Sequence, residues 1–146
     1  MKSYFPDINV WVALVYRGHQ HHSIAAAWFE KLASVQSVFC RVTQLGFLRL
    51  VTNAAVMGAE VKSERYAWDL YDQLRDDNRV SFYSEAEPDR IDAALRTLTA
   101  SRGVASHQWP DAYLAAFAAS ADLKLVTFDR GLGRLADGEC LLLSSS

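Results

Sequence analysis

The sequence is poor in the features that would place it outside ordinary globular proteins. It has only two cysteines, Cys40 and Cys140, in 146 residues, and no CxxC pair. A disulfide framework or a cysteine-based zinc site is therefore not expected, although a single Cys40–Cys140 bridge stays open. No apolar run approaches the ~20 residues that span a bilayer. The opening residues Met1–Phe5 carry one lysine, and Pro6-Asp7 interrupts them before a signal core could form. A cytoplasmic protein without a membrane segment is the expectation. Charge of one sign is also lacking: 15 Lys and Arg face 17 Asp and Glu, for a net charge of −2. A protein that wraps nucleic acid by bulk charge is excluded, so a polyanionic partner would need a local basic patch or bound cations.

What is present is a core. Hydrophobic residues make up 51% of the chain, and a chain of this length buries ~70% of the surface its unfolded form exposes. One domain over residues 1–146 is expected, with 143–146 as a frayed tail. Short β-like runs alternate with helical patterns. Strands are expected at Tyr4-Phe5, Ser37–Cys40, Val80–Tyr83, Leu123–Phe128 and Cys140–Leu143. Helices are expected from Asn9, from Ser23 as N-cap, from Thr43 as N-cap, around Ala67–Leu74, around Ile91–Leu98 and from Pro110. Asn53–Gly58 and Asp129–Leu135 read as loops, and Trp11, Trp28 and Trp68 as core. The alternation predicts an α/β fold with a mostly parallel sheet covered by helices on both faces. In such sheets ligands bind beyond the carboxyl ends of the strands, at the topological switch point.

Three aspartates fall in that place. Asp7 closes the first strand, Asp129 closes the Leu123–Phe128 strand, and Asp111 lies in the first turn of the Pro110 helix. Taken singly, each has an ordinary explanation as a helix-entry residue, a dipole partner or a turn residue. Together they make a different case. Three converging carboxylates cannot all stay ionised unless something neutralises them. A divalent cation does so, and oxygen-only ligands select a hard ion such as Mg²⁺ or Mn²⁺. That ion's natural further ligand is a phosphate, which suits phosphodiester chemistry. His19, His21 and His22 cluster as well, but no second ligand group has metal spacing, so a loop or helix-start role is expected.

The stretches FPDINVWVALV, TQLGFLRLVTN and WPDAYLAAFAASADLKLVTFDRGL, with the HxHHSxAxxW pattern from His19 to Trp28, resemble a PIN domain. More narrowly, they resemble a VapC-type toxin of bacterial toxin–antitoxin modules, from about Tyr4 to Leu143. The resemblance implies a three-layer PIN-like sandwich and Mg²⁺- or Mn²⁺-dependent endoribonuclease activity on cellular RNA such as tRNA or ribosomal RNA. It also implies a homodimer and a cognate antitoxin partner. Carried over residue by residue, the family's acids fall on Asp7, Asp111 and Asp129. Asn9 and Thr127 match flanking polar positions, and Arg49 matches the arginine of the GFxR segment. Gln44 stands where many PIN nucleases have a glutamate. An amide there removes one negative charge and implies weaker metal binding. Arg130, next to Asp129, is the candidate for a phosphate contact. Two other readings are a PIN-like module that binds antitoxin or RNA without turnover and a phosphoacceptor receiver. The receiver would need a lysine near the end of the last strand, and Cys140–Leu143 supplies none.

Overall fold

The computed structural model describes residues 2–33, 36–137 and 139–144. Five strands, β1 (Tyr4–Pro6), β2 (Ser37–Phe39), β3 (Val80–Phe82), β4 (Lys124–Thr127) and β5 (Cys140–Leu142), form one sheet in the order β3-β2-β1-β4-β5. Every pairing in it is parallel. The chain winds outward from β1 in one direction through β2 and β3, then returns beside β1 as β4 and continues to β5. The switch point therefore lies between β1 and β4.

Side chains alternate across the sheet because strand residues point to opposite faces. Val38 packs with Phe5, Leu114, Phe117 and Leu125 on one face. Its neighbour Phe39 packs with Trp11, Val12, Phe47 and Val51 on the other, where the Trp11 and Phe39 rings stack 3.9 Å apart. The first face is covered by α6 (Pro88–Arg102) and α7 (Trp109–Ser120), and the second by α1 (Ile8–Val15), α3 (Arg41–Val51) and α5 (Glu64–Asp76). Between α1 and β2, α2 (His22–Glu30) packs Trp28 edge-on against Tyr4 at 5.5 Å. The sandwich has the expected three layers, with a sheet that is parallel throughout.

Several local expectations need correction. The α2 helix begins at His22, and no side-chain cap from Ser23 precedes it. The α3 helix is entered at Cys40, while Thr43 sits one turn in and accepts the Cys40 amide at 3.0 Å. Residues 54–57 and 130–135 are short helices, α4 (Ala54–Met57) and α8 (Arg130–Leu135), where loops were expected. Asn53 caps the first by accepting the Ala55 amide at 2.9 Å, and Asp129 caps the second. Trp68 is 47% exposed, unlike the buried Trp11 and Trp28. Both cysteines are free thiols. The Leu143 amide donates to the Thr127 carbonyl at 2.8 Å, so the ladder reaches that residue; of the expected frayed tail, Ser145 and Ser146 lie outside the described residues.

One glycine sets how closely α1 and α3 approach. A Cβ on Gly46 would stand 2.2 Å from Ile8 Cδ1 and 2.7 Å from Ile8 Cγ1. Ile8 is the residue whose amide holds Asp7, so this contact lies directly behind the strand end. The Gly46→Ala protein should lose about 1–3 kcal/mol, the usual cost of overpacking. Urea denaturation would read this as a lower midpoint at unchanged slope.

Candidate functional site

The first strand ends in Pro6, and Asp7 turns the chain into α1. Its backbone is extended, and its Oδ1 accepts the Ile8 amide at 2.7 Å. Its amide is held by the Val126 carbonyl at 2.8 Å, which fixes it against the neighbouring strand across the switch point. Across that junction the buried Thr127 hydroxyl donates to Asp7 Oδ2 at 3.0 Å and accepts the Asp129 amide at 3.0 Å. A single threonine therefore connects two of the three acids. Asp129 Oδ1 accepts the Gly131 and Leu132 amides at 2.8 and 3.3 Å. This is the turn role considered for it, and it leaves Oδ2 outside the cap.

Asp111 lies in the first turn of α7, where the helix dipole would hold a carboxylate ionised. Its pKa is instead raised, by burial first and then by the charge of Asp129. His107 works in the opposite direction. Asp7 is more perturbed still. It is 8% exposed, and its pKa is pushed up to about 6, mainly by burial. The bonds from Thr127 and Ile8 oppose that shift, and the charges of Asp111 and Asp129 add to it. The three acids thus share one electrostatic neighbourhood at the carboxyl edge of β1 and β4.

Thr127 carries a testable part of this arrangement. A Thr127→Val protein keeps the shape but leaves Asp7 Oδ2 without its donor and the Asp129 amide without its acceptor. It should lose about 1–3 kcal/mol, and the Asp7 pKa should rise further because a bond to the charged form is gone. Chemical denaturation and a carboxyl-carbon NMR titration would read the two effects separately.

The other candidate positions divide. Gln44 is buried in the first turn of α3, on the same edge of the sheet, and its Oε1 accepts from Arg41 Nη1 at 2.5 Å. Asn9 is exposed in the first turn of α1, two residues beyond Asp7. Arg130 is exposed beside Asp129 and borders a cavity of about 350 Å³ with Arg134 and Cys140. Arg49 is not brought to the acids. It lies exposed in the last turn of α3, away from the end that follows β2, and forms no ion pair among the described residues. The histidines have local structural contacts: the His21 ring stacks on Phe128 at 4.3 Å, and His22 Nδ1 meets the Ala13 carbonyl at 2.7 Å.

Among the described residues no three His, Cys, Asp or Glu side chains stand close enough to make a ready-formed metal centre. The donor set nevertheless fits a hard cation. It consists of carboxylate oxygens, in which the charges of Asp111 and Asp129 add to the rise at Asp7 and that of Asp129 adds to the rise at Asp111. Such a group is relieved by a divalent ion held through oxygen.

The family model for the PIN domain matches residues 4–138. The chain belongs to the PIN-domain family. Its VapC-type character rests on relatives along the whole length. It is 38% identical over 142 residues to Ribonuclease VapC41 of Mycobacterium tuberculosis, covering 94% of this chain and 97% of that one. It is 30% identical over 141 residues to Ribonuclease VapC29 of the same organism, covering 96% of each. Among solved structures, it resembles VapBC2 from Rickettsia felis bound to a promoter DNA fragment. That match has a TM-score of 0.68 at 14% identity and covers 97% and 98% of the two chains. FitAcB from Neisseria gonorrhoeae follows with a TM-score of 0.60 at 22% identity, covering 94% and 96%. Within this PIN domain, the contact of Arg41 with Gln44, three residues on along the same helix, was not anticipated from the sequence. Nor was the contact of Tyr113 with Glu85, which only the fold brings together.

Proposed function

We propose that this PIN domain is the toxin of a toxin–antitoxin pair, a divalent-metal-dependent endoribonuclease acting in the cytoplasm on cellular RNA, with tRNA or ribosomal RNA as target. The observation that carries the reading is the electrostatic coupling at the switch point: the charges of Asp111 and Asp129 add to the burial that pushes Asp7 up to about 6, and that of Asp129 adds to the rise at Asp111. The ribonuclease names of the VapC relatives support the same reading. Asp7, Asp111 and Asp129 would hold Mg²⁺ or Mn²⁺. When bound, the cation supplies charge neutralisation at the phosphodiester and acidifies an attacking water.

The chain's own residues do the positioning. Thr127 orients Asp7 by donating to Oδ2, and the Ile8 amide fixes the other oxygen. Cap bonds to Gly131 and Leu132 hold Asp129 in place. Asn9 and Gln44 offer neutral polar groups on the same edge, and Arg130 offers a cation to an RNA phosphate. Hydrolysis in this way leaves a 5′-phosphate and a 3′-hydroxyl. The antitoxin partner is supported by the toxin–antitoxin complexes among the similar folds. It is also supported by a cavity of about 430 Å³ whose apolar wall includes Val15, Met57 and Leu70, a surface suited to an amphipathic helix. Two copies of the chain would form the working toxin.

The test is cleavage of total cellular RNA by antitoxin-free protein with Mg²⁺, with Mn²⁺ and with EDTA. Discrete fragments that need the metal and carry 5′-phosphate ends are expected. Cleavage unaffected by EDTA, or 2′,3′-cyclic phosphate ends, would overturn the mechanism. No cleavage from folded protein would leave the module that binds without turnover.

A further inference from the structure

The carboxyl edge of the sheet carries a second concavity, separate from the three aspartates. It has a volume of about 320 Å³, and its lining includes Arg41, Phe82, Tyr83, Glu85 and Tyr113. The strands are parallel, so this cavity beyond β2 and β3 opens at the same edge as the acids beyond β1 and β4. Neighbouring strands lie ~4.8 Å apart, which puts the end of β3 about 10 Å from that of β1. That distance is within reach of a nucleotide flanking the one held at the acids.

Its chemistry favours a base over a phosphate. The Arg41 guanidinium lies over the Phe82 ring, 4.9 Å from its centroid, and is tethered to Gln44. This makes a flat shelf of the kind on which unpaired bases stack. In the same lining the Tyr113 hydroxyl donates to Glu85 Oε2. Glu85 forms no ion pair among the described residues, so its negative charge repels phosphate. An ionised carboxylate only accepts hydrogen bonds. Guanine presents two adjacent donors on its Watson–Crick edge, N1–H and the N2 amine, which match two carboxylate oxygens. Adenine presents an acceptor at N1 and meets the carboxylate with repulsion.

We infer that this cavity is a nucleobase subsite that selects an unpaired guanine beside the scissile bond, with Glu85 as its specificity-determining residue and Arg41 with Phe82 as its stacking shelf. The inference rests on the ribonuclease reading for its RNA ligand, but its test does not need turnover. Fluorescence anisotropy would compare heptauridylates carrying one central guanosine, adenosine or cytidine, on wild-type protein in EDTA buffer. The guanosine oligomer should bind about tenfold more tightly than the adenosine oligomer, within the range expected of one bidentate base contact. In the Glu85→Gln protein, whose side chain can both donate and accept, the preference should shift to adenosine. Tyr113→Phe, which keeps the cavity but removes the hydroxyl donor that holds Glu85, should weaken the guanosine preference several-fold. Equal binding of the three oligomers would overturn the subsite. So would a guanosine preference unchanged in Glu85→Gln protein of wild-type melting temperature. RNA cleavage by wild-type protein with no guanosine preference in either assay would retain the nuclease and reject the subsite. A guanosine preference in EDTA with no cleavage in Mg²⁺ would do the reverse.

Discussion

The Asp7→Asn protein is expected to cleave RNA at least about a thousandfold more slowly, a loss of ~4 kcal/mol of transition-state stabilisation, while becoming more stable without metal at pH 7. The two effects share one cause. Asp7 is a buried carboxyl whose pKa is raised to about 6 from the ordinary 3.8. The folded protein therefore holds that proton more tightly than the unfolded chain. Between about pH 4 and pH 6 the native state binds more protons, so stability falls as pH rises through this window. The loss from this group is complete above the folded pKa and amounts to about 3 kcal/mol. Asp111, raised in the same direction, adds to it. Asparagine has no charge to desolvate. Its carbonyl oxygen can accept the Ile8 amide, and its NH₂ group can donate to Thr127, whose hydroxyl has a second lone pair. Denaturation of metal-free wild type should therefore show greater stability at pH 5 than at pH 7, and the variant should flatten that slope. Mg²⁺ should raise the wild-type melting temperature and leave the variant almost unmoved. A variant less stable than wild type at pH 7 would show that the Asp7 carboxylate is a net stabiliser of the fold.

The parts of this site that were legible from sequence were those carried by local pattern. Asp7 and Asp129 end short apolar runs, and a run of that kind in an α/β chain is a strand whose carboxyl end faces the ligand edge. Asp111 follows Pro110, which marks a helix start. The strands at Tyr4, Ser37, Val80, Leu123 and Cys140 were visible for the same reason. What escaped depends on short or distant contacts. The α8 helix has six residues, two of them glycines, Gly131 and Gly133, so neither periodicity nor propensity marks it, and its first turn is held by the Asp129 cap and by the burial of Leu132. The α4 helix has four residues and depends similarly on Asn53. Thr43 has the composition of an N-cap, yet it reaches back to Cys40 from the third helical position. The Thr127 link between Asp7 and Asp129 joins residues 120 apart in sequence. The Glu85–Tyr113 contact likewise spans a strand-to-helix loop and a later helix. Trp68 departs from the core expected of it because its helix buries only Ala67 and Tyr71, and an aromatic beside those positions points to solvent.

Gln44→Glu tests how the site tolerates an amide where many PIN nucleases carry an acid. A fourth carboxylate at this edge should tighten divalent-ion binding, since each added charge acts through Coulomb attraction in a partly desolvated place. The structure supplies a competing partner. Arg41 Nη1 already bonds the Gln44 oxygen at 2.5 Å, and with a glutamate that contact becomes a charge-assisted pair. Arg41 would then neutralise much of the new charge before a metal could use it. The single variant should lower the Mg²⁺ concentration for half-maximal cleavage by no more than about threefold, whereas Arg41→Ala with Gln44→Glu should lower it about tenfold. Arg41→Ala alone should leave the Mg²⁺ requirement near that of wild type, because a neutral amide gains little from losing its partner. Magnesium titrations of cleavage for the four proteins give the coupling between residues 41 and 44 as a double-mutant cycle. Tightening of the full size in the single variant would show that Arg41 releases the side chain at position 44. In that case the arginine serves the Phe82 shelf rather than the charge balance of the acids. No tightening in either variant would place residue 44 outside the reach of the cation. Asp7, Asp111 and Asp129 would then be the complete set of charged ligands.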